Sequence, residues 1–95
     1  MATLYVSYIG GVENMVAKEP CGAVTITTSG TTAKTAAAVP PEATIAVIFS
    51  DAAHYVNTGP QASVTASAAN GMLVPANVER ELKINAGDGV AAITV

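Results

Sequence analysis

Short runs of alternating apolar and polar residues cover most of this chain, and they end at glycine, proline or Asn-Gly signals. Alternation with a period of two is typical of a strand with one buried face. The runs predict strands at residues 3–10, 23–28, 32–39, 44–49, 54–59, 62–68, 78–85 and 90–95. None of them has convincing helical periodicity. The pattern therefore predicts an all-β fold, a small antiparallel β-sandwich or barrel of short strands.

Two of these runs carry a more specific expectation. Residues 44–49, TIAVIF, are continuously apolar, which is typical of a strand buried on both faces. Residues 32–39 are rich in alanine but run into Pro40-Pro41, and a diproline cannot lie inside a helix or a central ladder. We therefore expect this second run to be an extended, solvent-exposed strand.

The segment VERELKIN, residues 78–85, has the clearest alternation of apolar and polar residues in the chain, and four of its eight residues are charged. As a strand it places four residues on one face, namely Val78, Arg80, Leu82 and Ile84. The opposite face carries Glu79, Glu81, Lys83 and Asn85. A helix would align only Val78 with Leu82, so the strand fits better. The turn over residues 86–89 then predicts a terminal hairpin with residues 90–95.

Composition points to a thin core in one small domain. The chain has 95 residues, 51% of them hydrophobic but only 4% aromatic, so alanine, valine and isoleucine dominate its apolar content. Such side chains rarely wall deep ligand pockets. Charged residues make up 12% of the chain, about half the usual share. The sequence therefore predicts a surface that is either neutral or partly covered by partners.

Charge and residue counts argue against several classes of function. A net charge of −3 with four dispersed basic residues does not suit nucleic acid, which needs clustered Lys and Arg. No segment approaches the length of a membrane span, and the first residues lack the pattern of a signal peptide. His54 and Cys21 are the only residues of their kinds, so we expect neither a zinc site nor an internal disulfide, and no cofactor. Cys21 is interpreted as a small buried hydrophobe.

Three groups of residues could suggest catalysis, and each has a simpler interpretation. Ser50, Asp51 and His54 lie within five positions, whereas the members of a triad normally converge from separate elements. We expect a turn there, with Asp51 capping backbone amides. AGDGV, residues 86–90, is interpreted as a turn rather than a phosphate loop, because no helix follows it. Glu79 and Glu81 are interpreted as a solvated or subunit-contacting face. We expect no enzymatic activity.

The second half of the chain carries a series of turn motifs in a fixed order. They are a His-Tyr-Val element at residues 54–56, Gly-Pro-Gln-Ala at 59–62, Leu-Val-Pro-Ala at 73–76, and AGDGVAAI at 86–93. This layout resembles that of small all-β virion proteins of tailed bacteriophages, and the overall fit is most similar to head decoration (cement) proteins. The resemblance covers about half the chain.

The resemblance implies a role in a virus particle. The chain would be made in the host cytoplasm, sit as a homotrimer on the outer capsid surface, and stabilise the shell by binding the major capsid protein. Tyr5, Tyr8, Glu79, Arg80 and Glu81 are candidate partner-binding residues, since Tyr is enriched at interfaces. Residues 1–20 are a candidate extended arm or docking segment. Alternatives are a neck, tail or fibre-base adaptor, or a carbohydrate-binding module.

Overall fold

The computed structural model describes residues 2–10, 19–36 and 38–95, with side chains for all of these except 19–21. Eight strands follow one another along the chain. They are β1 (Ala2–Gly10), β2 (Glu19–Thr28), β3 (Ala33–Lys34), β4 (Ala43–Phe49), β5 (His54–Pro60), β6 (Met72–Val74), β7 (Arg80–Lys83) and β8 (Asp88–Thr94).

The strands form two four-stranded antiparallel sheets. The order is β2-β1-β4-β7 in the first sheet and β3-β8-β5-β6 in the second. The chain changes sheet after β2, β3, β4, β6 and β7, so most connections run between the layers. The predicted all-β class is confirmed, and the architecture is a small sandwich of two sheets.

Strand β1 shows how the alternation in the sequence sets the inside of the domain. Leu4, Val6 and Tyr8 point inward and are buried, while Tyr5 and Ser7 point outward and are exposed. β1 pairs with β2 on one side and with β4 on the other. Residues 2–10 therefore belong to the body of the domain, and the expectation of an arm over residues 1–20 is wrong for them. Residues 11–18 of the candidate docking segment lie outside the described residues.

The main core lies between the inner faces of the two sheets. It consists of aliphatic side chains, one tyrosine and several alanines: Leu4, Val6, Tyr8, Ile26, Val39, Ala43, Ala46, Ile48, Val56, Val74, Ile84, Val90 and Ala92. Burying one of the larger aliphatic side chains contributes about 1.5–3 kcal/mol. The three alanines contribute less, which fits the thin core expected from composition.

The two outer faces of the sandwich differ in how far other parts of the chain cover them. On the second sheet, Ala91 and Ile93 pack against Val64 and Ala66 from the connection between β5 and β6. This connection covers the outer face of β8 with a small second apolar cluster. On the first sheet, no element of the described residues covers the outer face in this way.

In the charged segment at residues 78–85, the side chains of β7 alternate between the two faces as predicted, but the strand that pairs with it is not the predicted one. Leu82 is half-buried and Ile84 buried, whereas Glu79, Glu81 and Lys83 are exposed, which confirms the alternation. The expected terminal hairpin is wrong, since β7 pairs with β4 and β8 pairs with β5 and β3. The chain crosses from one sheet to the other after Lys83 because Ile84 inserts into the core between the layers.

Three other local predictions need correction. Residues 62–68 form turns and irregular backbone, because Ser63 and Val64 both donate to the Pro60 carbonyl, at 3.0 and 2.9 Å. The exposed strand expected at 32–39 shrinks to β3, and Thr35 and Val39 are buried. The apolar run in β4 is fully buried only on its inner face, and Phe49 on the outer face is 38% exposed.

Candidate functional site

Ser50, Asp51 and His54 come together at the connection between β4 and β5, but they do not form a triad. Ser50 and His54 are fully buried, whereas Asp51 is exposed. Each buried side chain bonds to a different part of the fold, as described below. The structure therefore separates the three groups that catalysis would have to align.

The His54 imidazole connects the two sheets. Nδ1 lies 2.8 Å from the Ala52 carbonyl oxygen, so in the neutral ring Nδ1 carries the proton and donates it there. Nε2 then accepts from the Thr28 hydroxyl, 2.6 Å away on β2. Thr28 Oγ1 also lies 3.2 Å from the Ala2 carbonyl oxygen. Both ring nitrogens are thus committed to structural partners.

Ser50 is committed in the same way. Its hydroxyl donates to the Thr3 carbonyl oxygen at 2.8 Å and accepts the Ala52 amide at 3.2 Å. The amide of the turn is therefore capped by Ser50, and the expectation that Asp51 caps it is wrong. Every buried side-chain polar atom in the described part of the chain has a hydrogen-bond partner. The cluster holds β1, β2 and β5 together.

The glycine-rich loop before β8 is a tight turn, as predicted. The Asp88 amide donates to the Asn85 carbonyl at 3.1 Å, and the Asp88 carboxylate accepts the Asn85 amide at 3.0 Å. Gly87 has φ 85°, a conformation that glycine adopts without strain. The carboxylate is therefore used within the turn. Among the described residues, no group of three His, Cys, Asp or Glu side chains is placed to hold a metal ion.

The exposed aromatic residues meet on the outer face of the first sheet. Tyr5 on β1 pairs with Phe49 on β4, and the two side chains are 51% and 38% exposed. The same face carries Ser7 opposite Val47 and Ile9 opposite Ile45. We call this surface the outer face: Tyr5, Ser7, Ile9, Ile45, Val47 and Phe49, bordered by Thr25 on β2 and by Glu81 and Lys83 on β7.

The β7 border of the outer face is polar, whereas the β2 border carries both Thr25 and the exposed Ala23, which pairs with Ser7. Thr25 pairs with Tyr5 on one side, and on the other side Glu81 pairs with Val47 and Lys83 with Ile45. An apolar centre with a polar rim is the usual anatomy of a protein-binding surface, and the outer face has such a rim on its β7 side. The surface is built on paired strands, and an open depression on its β2 side is lined by Tyr5, Ser7, Ala23 and Thr25.

The candidate partner-binding residues do not all lie on this surface. Tyr5 and Glu81 share the outer face, and Glu79 is exposed just before β7 begins. Arg80 is exposed but pairs with Ile48, so it lies on the opposite side of β7 at the rim of the core. Tyr8 is 5% exposed, within the core. Its burial raises the pKa of its phenol, while a hydrogen bond with the Thr35 side chain acts in the opposite direction.

Of the nine residues that make up the outer face and its borders, sequence reasoning selected only Tyr5 and Glu81; Phe49 and Lys83 are among those it missed. The alternation in β4 puts Ile45, Val47 and Phe49 on one side, which is visible in the sequence. It does not show that this side faces outward or that β1 lies beside it. The partnership of Thr28 with His54 was missed as well, since the residues are 26 positions apart.

Comparisons with known proteins add nothing to this geometry: no protein-family model matches the chain, and neither a curated protein nor a solved structure does. None of the described segments is a helix long and apolar enough to cross a membrane. The fold and the surface define a small all-β sandwich with an exposed aromatic pair, Tyr5 and Phe49, on one sheet face.

Proposed function

We propose that this chain is a bacteriophage capsid decoration protein that docks on the outer capsid surface through its outer face and stabilises the shell. The supporting observation is the exposed Tyr5–Phe49 pair on a sheet face that the described residues leave uncovered. The resemblance of the turn motifs to those of virion proteins is the reason for proposing a role in a virus particle. The exposed outer face is the reason for proposing where the chain contacts it. The partner is the major capsid protein, and the contact is an apolar patch with Thr25 on one border and the charged residues Glu81 and Lys83 on the other.

The sequence of β4 supports docking on this particular face. A continuous apolar run such as residues 44–49 is typical of a strand with both faces buried, yet Phe49 stays 38% exposed. On the second sheet, Val64 and Ala66 of the same chain cover the apolar residues of the outer side. Burial of the outer face of the first sheet by a partner would complete the environment for which the β4 sequence is suited.

Stabilisation of a shell follows from mass action. A protein that binds only the assembled and expanded shell lowers the free energy of that state by RT ln(1 + [L]/Kd) at every site. Individual sites can be weak, since a shell presents hundreds of them. The decoration role therefore needs a small rigid body with one good contact surface, and no reactive group.

Two other roles use the same surface and give different measurements. A neck, tail or fibre-base adaptor would be present in six or twelve copies per particle, whereas decoration requires hundreds. A carbohydrate-binding module would stack a sugar ring on Tyr5 or Phe49, which are exposed side by side. Reproducible binding on a glycan array, with no binding to capsids, would favour that module.

The test is co-sedimentation of the purified protein with capsids of the virus that encodes it, before and after shell expansion. We expect saturable binding to expanded capsids at hundreds of copies each, and slower loss of genome on heating when the protein is bound. Absence of binding to either form of the capsid would overturn the proposal. The homotrimer implied by the resemblance stays a prediction.

A further inference from the structure

The connection between β5 and β6 ends in a tight turn over residues 67–71, which contains the dipeptide Asn70-Gly71. The Gly71 amide donates to the Ser67 carbonyl oxygen at 2.8 Å and closes the turn. Asn70 is exposed and Gly71 is half-buried. Asn70 is the only asparagine in the sequence that is followed by glycine. Because glycine has no side chain to shield its amide nitrogen, this asparagine side chain is the one most open to attack by the backbone that follows it.

The space around position 71 accounts for the glycine. A Cβ atom there would lie 2.8 Å from the Ser67 carbonyl oxygen, 2.9 Å from Tyr55 Cβ and 3.2 Å from the Val56 amide nitrogen. These distances are shorter than ordinary van der Waals contacts, and two of the three atoms belong to the backbone and cannot rotate away. The turn therefore packs so closely against β5 that it requires glycine, and an Asn-Gly pair results.

The Asn70 side chain is fixed by Ser67. Its Oδ1 atom accepts the Ser67 amide at 2.8 Å and the Ser67 hydroxyl at 3.2 Å. The same hydroxyl oxygen accepts the backbone amides of Ala69 and Asn70, each at 3.3 Å. Local hydrogen bonds of this kind hold a turn in one conformation. Ser67 therefore restrains both the carboxamide and the backbone of Asn70.

We propose that Asn70 is a site of spontaneous deamidation, which the closed turn protects and which local opening of residues 67–71 exposes. Water is the only co-reactant. The Gly71 nitrogen loses its proton to solvent and attacks Asn70 Cγ, the Cγ–Nδ2 bond breaks, and Nδ2 takes up a proton and leaves as ammonia. Water then opens the resulting succinimide ring at one of its two carbonyl carbons and produces either aspartate or isoaspartate.

The closed turn opposes this attack at both reacting atoms. The Gly71 N–H must give up its hydrogen bond with Ser67 before the nitrogen can act as a nucleophile. Formation of the new bond also requires the Asn70 carboxamide to rotate out of its contact with the Ser67 amide. The donors on Oδ1 would stabilise negative charge on that oxygen, but only after the nitrogen has reached Cγ. The rate is therefore set by opening of the turn, a local event that needs no global unfolding.

The two products affect the fold differently. Aspartate at position 70 keeps an oxygen acceptor for the two Ser67 donors, so the turn stays closed. Isoaspartate inserts a methylene group into the backbone immediately before Gly71, which has no room for an added carbon atom. We expect this product to displace the turn from β5 and to disturb β6, in which Leu73 pairs with Tyr55.

Incubation in water enriched in heavy oxygen tests the protection, because each deamidation event incorporates an oxygen atom from solvent. The full chain is kept folded or in denaturing guanidinium chloride at the same pH and temperature. Mass spectrometry of the tryptic peptide 35–80 then compares Asn57, Asn70 and Asn77. We expect Asn70 to react fastest in the denatured chain, and at least about tenfold more slowly in the folded chain. A folded rate at Asn70 that equals or exceeds the denatured rate would overturn the proposal.

Three variants separate local opening from global unfolding. Ser67→Ala should speed deamidation of the folded chain by about threefold or more, the effect of losing one hydrogen bond. Ser63→Ala, at an exposed serine of the same connection, should leave the rate unchanged. Thr28→Val alters a buried contact far along the chain and should also leave it unchanged, because the turn opens by itself. An unchanged rate in Ser67→Ala, or an equal acceleration in Thr28→Val, is the contrary result.

Thermal unfolding tests the two products. Asn70→Asp reproduces the aspartate product and should keep the wild-type Tm. Chain aged in denaturant, refolded and purified in its isoaspartate form should have a lower Tm. A wild-type Tm for the isoaspartate form, or an equal loss in Asn70→Asp, would contradict the role assigned to the turn. None of these measurements involves capsids, so their outcome is independent of the proposed function.

Discussion

The Nε2 atom of His54 lies 2.6 Å from the hydroxyl oxygen of Thr28, and this contact joins the second sheet to the first inside a site from which solvent is excluded. The histidine has a further backbone partner, because its Nδ1 donates to the Ala52 carbonyl oxygen at 2.8 Å. A polar contact of this kind fixes how the two layers sit on each other, because an unsatisfied buried group costs more than a bond returns.

Thr28→Val tests this contact. Valine matches the shape of threonine but leaves Nε2 of His54 without its donor, so we expect the free energy of unfolding to fall by about 1–3 kcal/mol. Urea denaturation measures it. Thr27→Val is the matched control, since Thr27 is exposed one position earlier on the outer side of β2, and it should change stability little. Equal effects of the two variants would contradict the structural role assigned to the pair.

Gly10→Ala tests the close approach at the end of β1. A Cβ atom at this position would overlap the carbonyl oxygen of Glu42, so the backbone between β3 and β4 would have to shift. Overpacking of this kind typically costs about 1–3 kcal/mol. Gly30→Ala is the control, because a Cβ there would meet no atom within 4 Å. Thermal unfolding should show a lower Tm for the first variant only.

Alkaline pH should weaken the fold through Tyr8. Burial raises the pKa of its phenol above the ordinary value of 10.0, so between the two pKa values the unfolded chain releases this proton while the folded chain retains it. Stability is therefore fully present below pH 10 and falls as pH rises from there. Urea denaturation at a series of pH values checks the slope. Tyr8→Phe should remove this contribution, and an unchanged slope in that variant would contradict the assignment.

The sequence predicts which side chains of a single strand point inward and which point outward, because this depends on local alternation alone. The alternation of Leu4, Tyr5 and Val6, or of Glu81, Leu82 and Lys83, is a local property, and the structure reproduces it. The hairpin after Lys83 could not be predicted, because turn residues 85–88 bond to one another in the same way whether the chain returns to its own sheet or crosses to the other. Which outcome occurs depends on what covers Ile84 and Val90.

The residues of the outer face could be predicted only in part, for the same reason. Tyr5 was selected because it is a tyrosine near the start of the chain, and Tyr8 was selected on equal grounds, although their positions three residues apart place them on opposite faces of a strand. Phe49 becomes significant only when β4 is seen to lie beside β1. The sequence shows which side chains of a strand share a face. It does not show which strands lie beside it, because strand neighbours depend on long-range contacts.

We propose that the outer face is the surface that docks on the capsid, and one pair of variants tests this claim directly. Tyr5→Ala removes a side chain 51% exposed on the outer face, and Leu73→Ala removes one 50% exposed on β6 at the edge of the second sheet. Binding of both to expanded capsids is measured as a Kd by titration and sedimentation. We expect Tyr5→Ala to weaken binding by about tenfold or more, as for an aromatic anchor, with Leu73→Ala close to the wild type. Wild-type affinity in Tyr5→Ala, or a loss confined to Leu73→Ala, would contradict the claim.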